Sequence, residues 1–225
     1  MPVALITGAS AGLGLATARA LAVRHWTLII DARGEAVLHR AAAELPGAVA
    51  IAGDVADPAH RQELVDAVDK AGGLDLLVNN ASYLGPSPMP SLADYPLDVL
   101  ERVYRVDVFA PLALTQLLLP RLAASGGTVV NISSDAAVEA YEGWGGYGSA
   151  KAALDHLTAI LAAEHPDLHV YAFDPGDMRT DMHQQAFPGE DISDRPEPDT
   201  VVPKLLHLVD SRPASGRYRA SEVTA

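Results

Sequence analysis

The chain has no cysteine among its 225 residues. Structural disulfides, thiolate chemistry and Cys-ligated zinc are therefore excluded, and the absence fits a reducing compartment. Basic residues are scarce: 16 Lys and Arg stand against 29 Asp and Glu, and 16 − 29 gives a formal net charge of −13. Phosphate binding by nucleic-acid proteins needs clustered Lys and Arg, so no nucleic acid is expected as a partner. An anionic membrane surface is disfavoured on the same ground. No unbroken apolar run approaches the ~18 residues of a membrane span. The short run from Met1 to Ile6 lacks the length and the basic start of a signal peptide. The expectation is a cytoplasmic protein without membrane association. The eight histidines show no HExxH spacing, and Pro166 separates His165 from His169, so no metal site is expected.

Hydrophobic residues make up 49% and charged residues 20%, which supplies a core and argues against disorder. The length suits one domain. Short apolar runs at Val3–Thr7, Trp26–Ile30, Ala48–Ala52, Leu74–Val78, Thr128–Ile132 and Leu168–Phe173 read as strands. Segments of helical period separate them: Leu13 to Leu21, Glu35–Leu45, Pro58–Ala71 (opened by Asp57), Leu97–Ala124 and Tyr147–Glu164. Pro111 should kink or split the fourth of these. From Pro198 the chain predicts one helix and a last strand near Arg217–Arg219. Such alternation predicts an α/β fold: a single-domain, doubly wound Rossmann fold over residues 1–225, with a parallel sheet of six to seven strands and helices on both faces. Ser82–Pro96, which holds four prolines, and residues 182–198 read as open loops that could wall a pocket.

The first strand runs into Thr7-Gly8-Ala9-Ser10-Ala11-Gly12-Leu13-Gly14. Gly8 permits the tight turn, Gly12 a close approach of backbone to a pyrophosphate, and Gly14 close packing of helix on sheet. Free N–H groups at the following helix start would hold phosphates. Further along, Ser134 closes the fifth strand, and Tyr147-Gly148-Ser149-Ala150-Lys151 begins thirteen residues later. Tyr147 and Lys151, four apart, share one helix face. A free phenol titrates near pH 10, too high for a general base at neutral pH. An ammonium one turn away would stabilise its anion. A hydroxyl at Ser134 would polarise a substrate carbonyl.

The TGxxxGxG turn, the Ser134–Tyr147–Lys151 set and their order together resemble the classical short-chain dehydrogenase/reductase family, from Thr7 to about Thr180. The resemblance implies an oxidoreductase that moves a hydride between a nicotinamide cofactor and a carbonyl or alcohol substrate, with Tyr147 as general acid/base. It implies that Gly8, Ser10, Gly12, Leu13 and Gly14 cradle the dinucleotide. Asp54-Val55 would meet the adenine, Asn80, Ala81 and Ser82 the ribose, and Lys151 the nicotinamide ribose. Asn79 would brace the sheet instead. Pro175, Gly176, Met178 and Thr180 would close over the nicotinamide. The family's acidic discriminator falls about eighteen residues after the last glycine, which is Ala32 here. Arg33 follows where NADP-preferring members often carry a basic residue. Asp31 is one position early, and strand alternation points it elsewhere. NADP(H) is favoured and NAD(H) remains the alternative. A homodimer or homotetramer is also implied.

Two residues depart from the family pattern. Ser82 replaces a Gly, and Asp107 replaces the Asn whose backbone carbonyl holds a proton-relaying water. The backbone of Asp107 could still do so, while its carboxylate beside Lys151 would shift the pH optimum. A non-catalytic dinucleotide-sensing module is the rival reading. The substrate is expected among the two loops, Tyr141 and Trp144, with aromatic contact and little tolerance for anions.

Overall fold

Val3–Ile6 is apolar at every position and forms the first strand, β1, with all four residues buried. A strand covered on both faces belongs inside a parallel sheet. The computed structural model describes residues 1–224; Ala225, the last residue of the expected domain, lies outside them. The chain continues through α1 (Gly12–Val23), β2 (Thr27–Ala32), α2 (Glu35–Ala43), β3 (Val49–Ala52), α3 (Pro58–Ala71), β4 (Leu76–Asn79), α4 (Leu97–Tyr104), α5 (Ala110–Ser125), β5 (Thr128–Ile132), α6 (Gly145–Glu164), β6 (His169–Asp174), α7 (Asp181–Ala186), α8 (Pro198–Ser211) and β7 (Gly216–Arg219). The seven strands form one sheet in the order β3-β2-β1-β4-β5-β6-β7, parallel throughout. The order reverses between β1 and β4. A crevice opens there at the carboxyl ends of the strands, where doubly wound sheets bind ligands.

Alternation along the strands divides the core in two. Ala4, Ile6, Leu28 and Ile30 face α1 and α8, where they meet Leu21, Leu205 and Leu206. Leu5, Ile29, Leu77 and Val129 face the other way, onto Leu64 and Val68 of α3 and Leu114, Leu118 and Leu122 of α5. α3 has the predicted limits. The Asp57 carboxylate accepts from Ala59 N at 2.9 Å, Pro58 occupies the first turn, and Gly72 ends the helix at φ +92°.

The stretch predicted as one helix kinked at Pro111 is built differently. A π-helical turn at Arg105–Phe109 separates α4 from α5. Pro111 lies in the first turn of α5 rather than in a helix interior, and the widened turn carries Asp107. Together Leu97–Ser125 make 29 helical residues, long and apolar enough by length and composition to cross a membrane. Their row Leu114, Leu118, Leu122 is buried against the sheet, the place of a core helix. The loop expected over 182–198 opens as helix, because α7 runs to Ala186. The Ser82–Pro96 loop holds one 3₁₀ turn, Leu92–Asp94.

Candidate active site

The glycine turn after β1 is shaped by what surrounds it. Gly8 adopts φ +65°, a left-handed conformation that a side chain would strain. A Cβ at Gly14 would lie 2.6 Å from both Asn80 Nδ2 and Gly8 O, so α1 approaches the sheet only because that atom is missing. Asn80 Nδ2 donates to Thr7 O at 2.9 Å and to Gly8 O at 3.1 Å, tying the end of β4 to the turn. Ala11 caps α1 without a side-chain bond, and no acidic residue stands in the first turn. The first N–H groups of α1 are therefore available to an anion, and the dipole favours one.

Two clefts meet at this turn. The larger, about 330 Å³, is lined by Gly8, Gly12, Leu13, Asn80, Ala81, Ser82, Ser134, Tyr147, Lys151, Pro175, Gly176, Met178 and Thr180, among others. The smaller, about 220 Å³, is lined by Ser10, Arg33, Asp54 and Val55, and it shares Gly8, Ala81 and Ser82 with the first. Of the residues singled out in the sequence, Gly14 and Asp107 stand behind these walls. Arg33 is exposed. The Asp54 carboxylate turns its own loop by accepting from Ala56 N at 2.9 Å. Thr180 caps α7 with the hydroxyl that the resemblance assigns to a carboxamide, accepting from His183 N at 3.1 Å. Behind the wall, Asn79 Nδ2 donates to Asn131 Oδ1 and Asn131 Nδ2 to Thr158 Oγ1, both at 2.8 Å, so Asn79 braces the sheet.

α6 brings Tyr147 and Lys151 into the larger cleft one turn apart. Lys151 Nζ lies 5.3 Å from the Tyr147 ring centre. It donates to Ile132 O at 2.8 Å and lies 3.7 Å from Asp107 Oδ1. Ser134 Oγ donates to Asp135 Oδ1 at 2.9 Å and accepts from Ala136 N at 3.2 Å. Its carbonyl accepts from Arg217 of β7 at 2.9 Å, and that guanidinium also bonds Asp155 and Asp174. Ser133 is buried beside it.

Asp107 has no exposed surface. Its Oδ1 accepts from Ser82 Oγ at 2.5 Å and from Tyr83 N at 3.2 Å. Burial raises its pKa, with the Lys151 charge pulling in the opposite direction. The Tyr147 phenol is the point where sequence reasoning is corrected. Burial, and then the Asp107 carboxylate, push it above its ordinary value, and Ser82 pulls it back in part. The lowering expected from Lys151 together with a cationic ring is not produced by this chain's groups alone, because burial, and after it Asp107, raises the phenol.

Leu84 and Tyr147 form an apolar wall with Trp144, Met182 and Ala186, and Phe187 stacks near Trp144 with ring centres 5.8 Å apart. Tyr141 is not in that wall. Its hydroxyl lies within hydrogen-bond distance of the Asp135 and Glu139 carboxylates, either of which can take its one proton, at the exposed rim.

Two residues, Arg217 and His60, escaped the sequence reading, and Asp31 was weighed there without its buried partner. Arg217 left only the weak signal of a cation in a short strand. His60 and Asp31 form a buried pair, Nε2 to Oδ1, at 2.6 Å. The inward spacing of His60, Leu64 and Val68 on α3 was the available clue.

Comparison with known proteins follows the same outline. The family model described as short chain dehydrogenase matches residues 2–191. A sepiapterin reductase of Mus musculus is 35% identical over 220 residues, which cover 90% of this chain and 83% of that protein. A Saccharomyces cerevisiae benzil reductase, (S)-benzoin forming, is 35% identical over 216 residues, covering 91% and 80%. The crystal structure of a short chain dehydrogenase from Shigella flexneri complexed with NADP superposes with a TM-score of 0.92 at 29% identity, covering 98% of this chain and 97% of that one.

Proposed function

Since the chain belongs to the short-chain dehydrogenase family and is an oxidoreductase of that family, we propose that it reduces a neutral carbonyl compound, or oxidises the matching alcohol, with NADP(H) preferred over NAD(H). The observation that carries this reading is the meeting of Ser134, Tyr147 and Lys151 in one cleft with the glycine turn. The residues fit a dinucleotide. Gly14 leaves no room for a side chain behind the turn, α1 offers uncapped N–H groups, and Arg33 is an exposed guanidinium at the smaller cleft. Among the described residues Arg33 makes no salt bridge, which leaves it for a 2′-phosphate. The Shigella flexneri relative, complexed with NADP, supports the same preference.

When bound, the nicotinamide supplies or accepts the hydride. The chain's own residues do the rest. Gly8, Gly12, Leu13 and the start of α1 hold the pyrophosphate; Ser10, Asp54 and Val55 take the adenosine side; Asn80, Ala81 and Ser82 line the middle. Pro175, Gly176, Met178 and Thr180 cover the nicotinamide side. Ser134 Oγ turns from Asp135 to the substrate oxygen and polarises the carbonyl. Tyr147 delivers or removes the proton at that oxygen. Its raised pKa favours the protonated phenol, the form reduction needs. Lys151 anchors the ribose and, together with a cationic ring, draws the phenol down for the reverse direction. The backbone of Asp107 can still carry the relay water.

Leu84, Trp144 and Met182 suit an aromatic or otherwise apolar ketone, while Asp135, Asp177 and Asp181 line the same cleft and oppose anionic substrates. A benzil reductase among the relatives points the same way. Exposed Phe109 at the π turn, Leu117 on α5 and Ile160 on α6 fit a homodimer or homotetramer through these helices.

The test is NADPH absorbance over a panel of aromatic ketones, aldehydes and keto acids. Turnover of neutral ketones, lost in Tyr147→Phe, is expected. Asp107 favours the non-catalytic sensor, which would bind NADPH yet turn over nothing on the panel.

A further inference from the structure

The penultimate residue of β2 carries a carboxylate turned toward α3. Asp31 is 1% exposed and His60 is 5% exposed. His60 stands in the first turn of α3 and reaches Asp31 past the end of β3. A Cβ on Gly53 would lie 2.2 Å from His60 Nδ1, so that glycine opens the passage for the ring. His60 Nε2 and Asp31 Oδ1 are 2.6 Å apart, while Asp31 Oδ2 has no hydrogen-bond partner among the described residues. The pair nevertheless borders a ligand cleft: Asp31 lines the smaller one together with Ser10, Ala32, Arg33 and Asp54. A free carboxylate in that wall would repel a phosphate at Arg33 and offer an acceptor to ribose hydroxyls. Burying such a pair carries a desolvation penalty that plain core packing would avoid, and the catalytic set uses neither residue.

We propose that His60 is a specificity-determining residue: by bonding Asp31 it keeps the carboxylate inside the sheet and balances its charge, so that the cleft beside Arg33 takes the 2′-phosphorylated dinucleotide in preference to the unphosphorylated one. The inference deepens the NADP reading and rests on the smaller cleft being the adenosine side.

Protonation supports the geometry. The Asp31 hydrogen bond raises the pKa of His60, and burial raises that of Asp31. Both shifts favour a proton held within the pair. The groups facing it are acidic: Glu63 on α3, with its carboxylate 3.9 Å from Nδ1, Asp57 at the start of α3 and Asp54 after β3. Arg33 is the cation on the cleft side. Loss of the proton at higher pH leaves the wall with a net negative charge, and the preference for the phosphorylated form falls.

The experiment measures NADPH and NADH dissociation constants by fluorescence titration for the native chain, His60→Gln, Asp31→Asn and the double variant, near pH 6.5 and near pH 9. The NADPH-over-NADH preference is expected to drop about tenfold in His60→Gln, mainly through weaker NADPH binding. It returns in the double variant, and it declines with pH in the native chain but not in Asp31→Asn. An unchanged preference in His60→Gln overturns the proposal. So does a loss that removing Asp31 does not rescue, since His60 would then be a packing residue. Should His60→Gln fail to fold, equal pH slopes in the native chain and Asp31→Asn overturn it. Native binding of both dinucleotides with equal affinity sinks the NADP reading alone, because the change between native and variant still judges His60. Binding of neither sinks both.

Discussion

The Ser82 hydroxyl donates to Asp107 Oδ1 at 2.5 Å. Each residue stands where the family pattern has another, Gly for Ser82 and Asn for Asp107, so the two departures meet in one hydrogen bond. A carboxylate with no exposed surface needs donors. Ser82 Oγ and Tyr83 N supply them, Lys151 Nζ adds its charge at 3.7 Å, and a glycine at position 82 would remove the shortest.

That contact should appear as coupling in a double-mutant cycle. Ser82→Gly alone is expected to lower unfolding free energy by about 1–3 kcal/mol, because it strips a buried carboxylate of a donor. In an Asp107→Asn background the same change should lose less. The check is chemical denaturation of all four chains; strictly additive effects would falsify the pairing.

Asp107 also sets a pH dependence. Burial raises its folded pKa above the value in the unfolded chain. An acid raised in this way stabilises the fold when protonated, and that contribution is lost as pH rises through the folded value. Asp107→Asn has no such titration. Its stability relative to the native chain should therefore improve between about pH 4 and about pH 8, as followed by denaturant midpoints; an opposite slope would show that the Lys151 contact outweighs burial.

Removing the Tyr147 hydroxyl separates chemistry from binding. Tyr147→Phe should reduce kcat by about 10²–10⁴-fold, the range for a lost general acid. The NADPH dissociation constant should stay within about threefold, since the ring and Lys151 remain. Steady-state rates on an aromatic ketone and a fluorescence titration decide it.

Arg33 should carry the phosphate preference directly. Arg33→Ala is expected to weaken NADPH binding about ten- to hundredfold, the worth of a charged hydrogen bond of about 1.5–3 kcal/mol, and to leave NADH binding unchanged. Calorimetric titration of both dinucleotides reads this, and equal losses for the two would remove Arg33 from the role.

Gly14→Ala tests the close approach of α1. The added methyl would meet the backbone oxygen of Gly8 at 2.6 Å, which cannot swing away as a side-chain tip can. A loss of about 1–3 kcal/mol and weaker dinucleotide binding are expected in thermal unfolding and titration; unchanged binding would show that the turn relaxes freely.

Much of the fold could be read from local chemistry. The helix Pro58–Ala71 announces itself by Asp57, Pro58 and Gly72, and Thr128–Ile132 by its β-branched run, because caps and alternation act over a few residues. The turn and the Tyr147–Lys151 spacing were legible for the same reason. The π turn around Asp107 was not, since Pro111 drew attention to a later position and the widening has no residue signature of its own. The Asp31–His60 pair joins positions 29 apart across β3. No local pattern encodes a partner of that kind. The capping of α7 by Thr180 was hidden because the 182–198 stretch is rich in loop-forming residues, and Tyr141 lost its place in the pocket to the two carboxylates at the rim.

Arg217 gives the seventh strand a duty beyond closing an edge. Its guanidinium holds the Ser134 carbonyl, Asp155 and Asp174 at once, so an edge strand fixes the backbone from which the Ser134 hydroxyl projects. Without that guanidinium the glycine turn would keep its own contacts, while the backbone at Ser134 would lose its tie to Asp155 and Asp174. A change at that outer strand would therefore be felt two strands away, at the carboxyl end of β5.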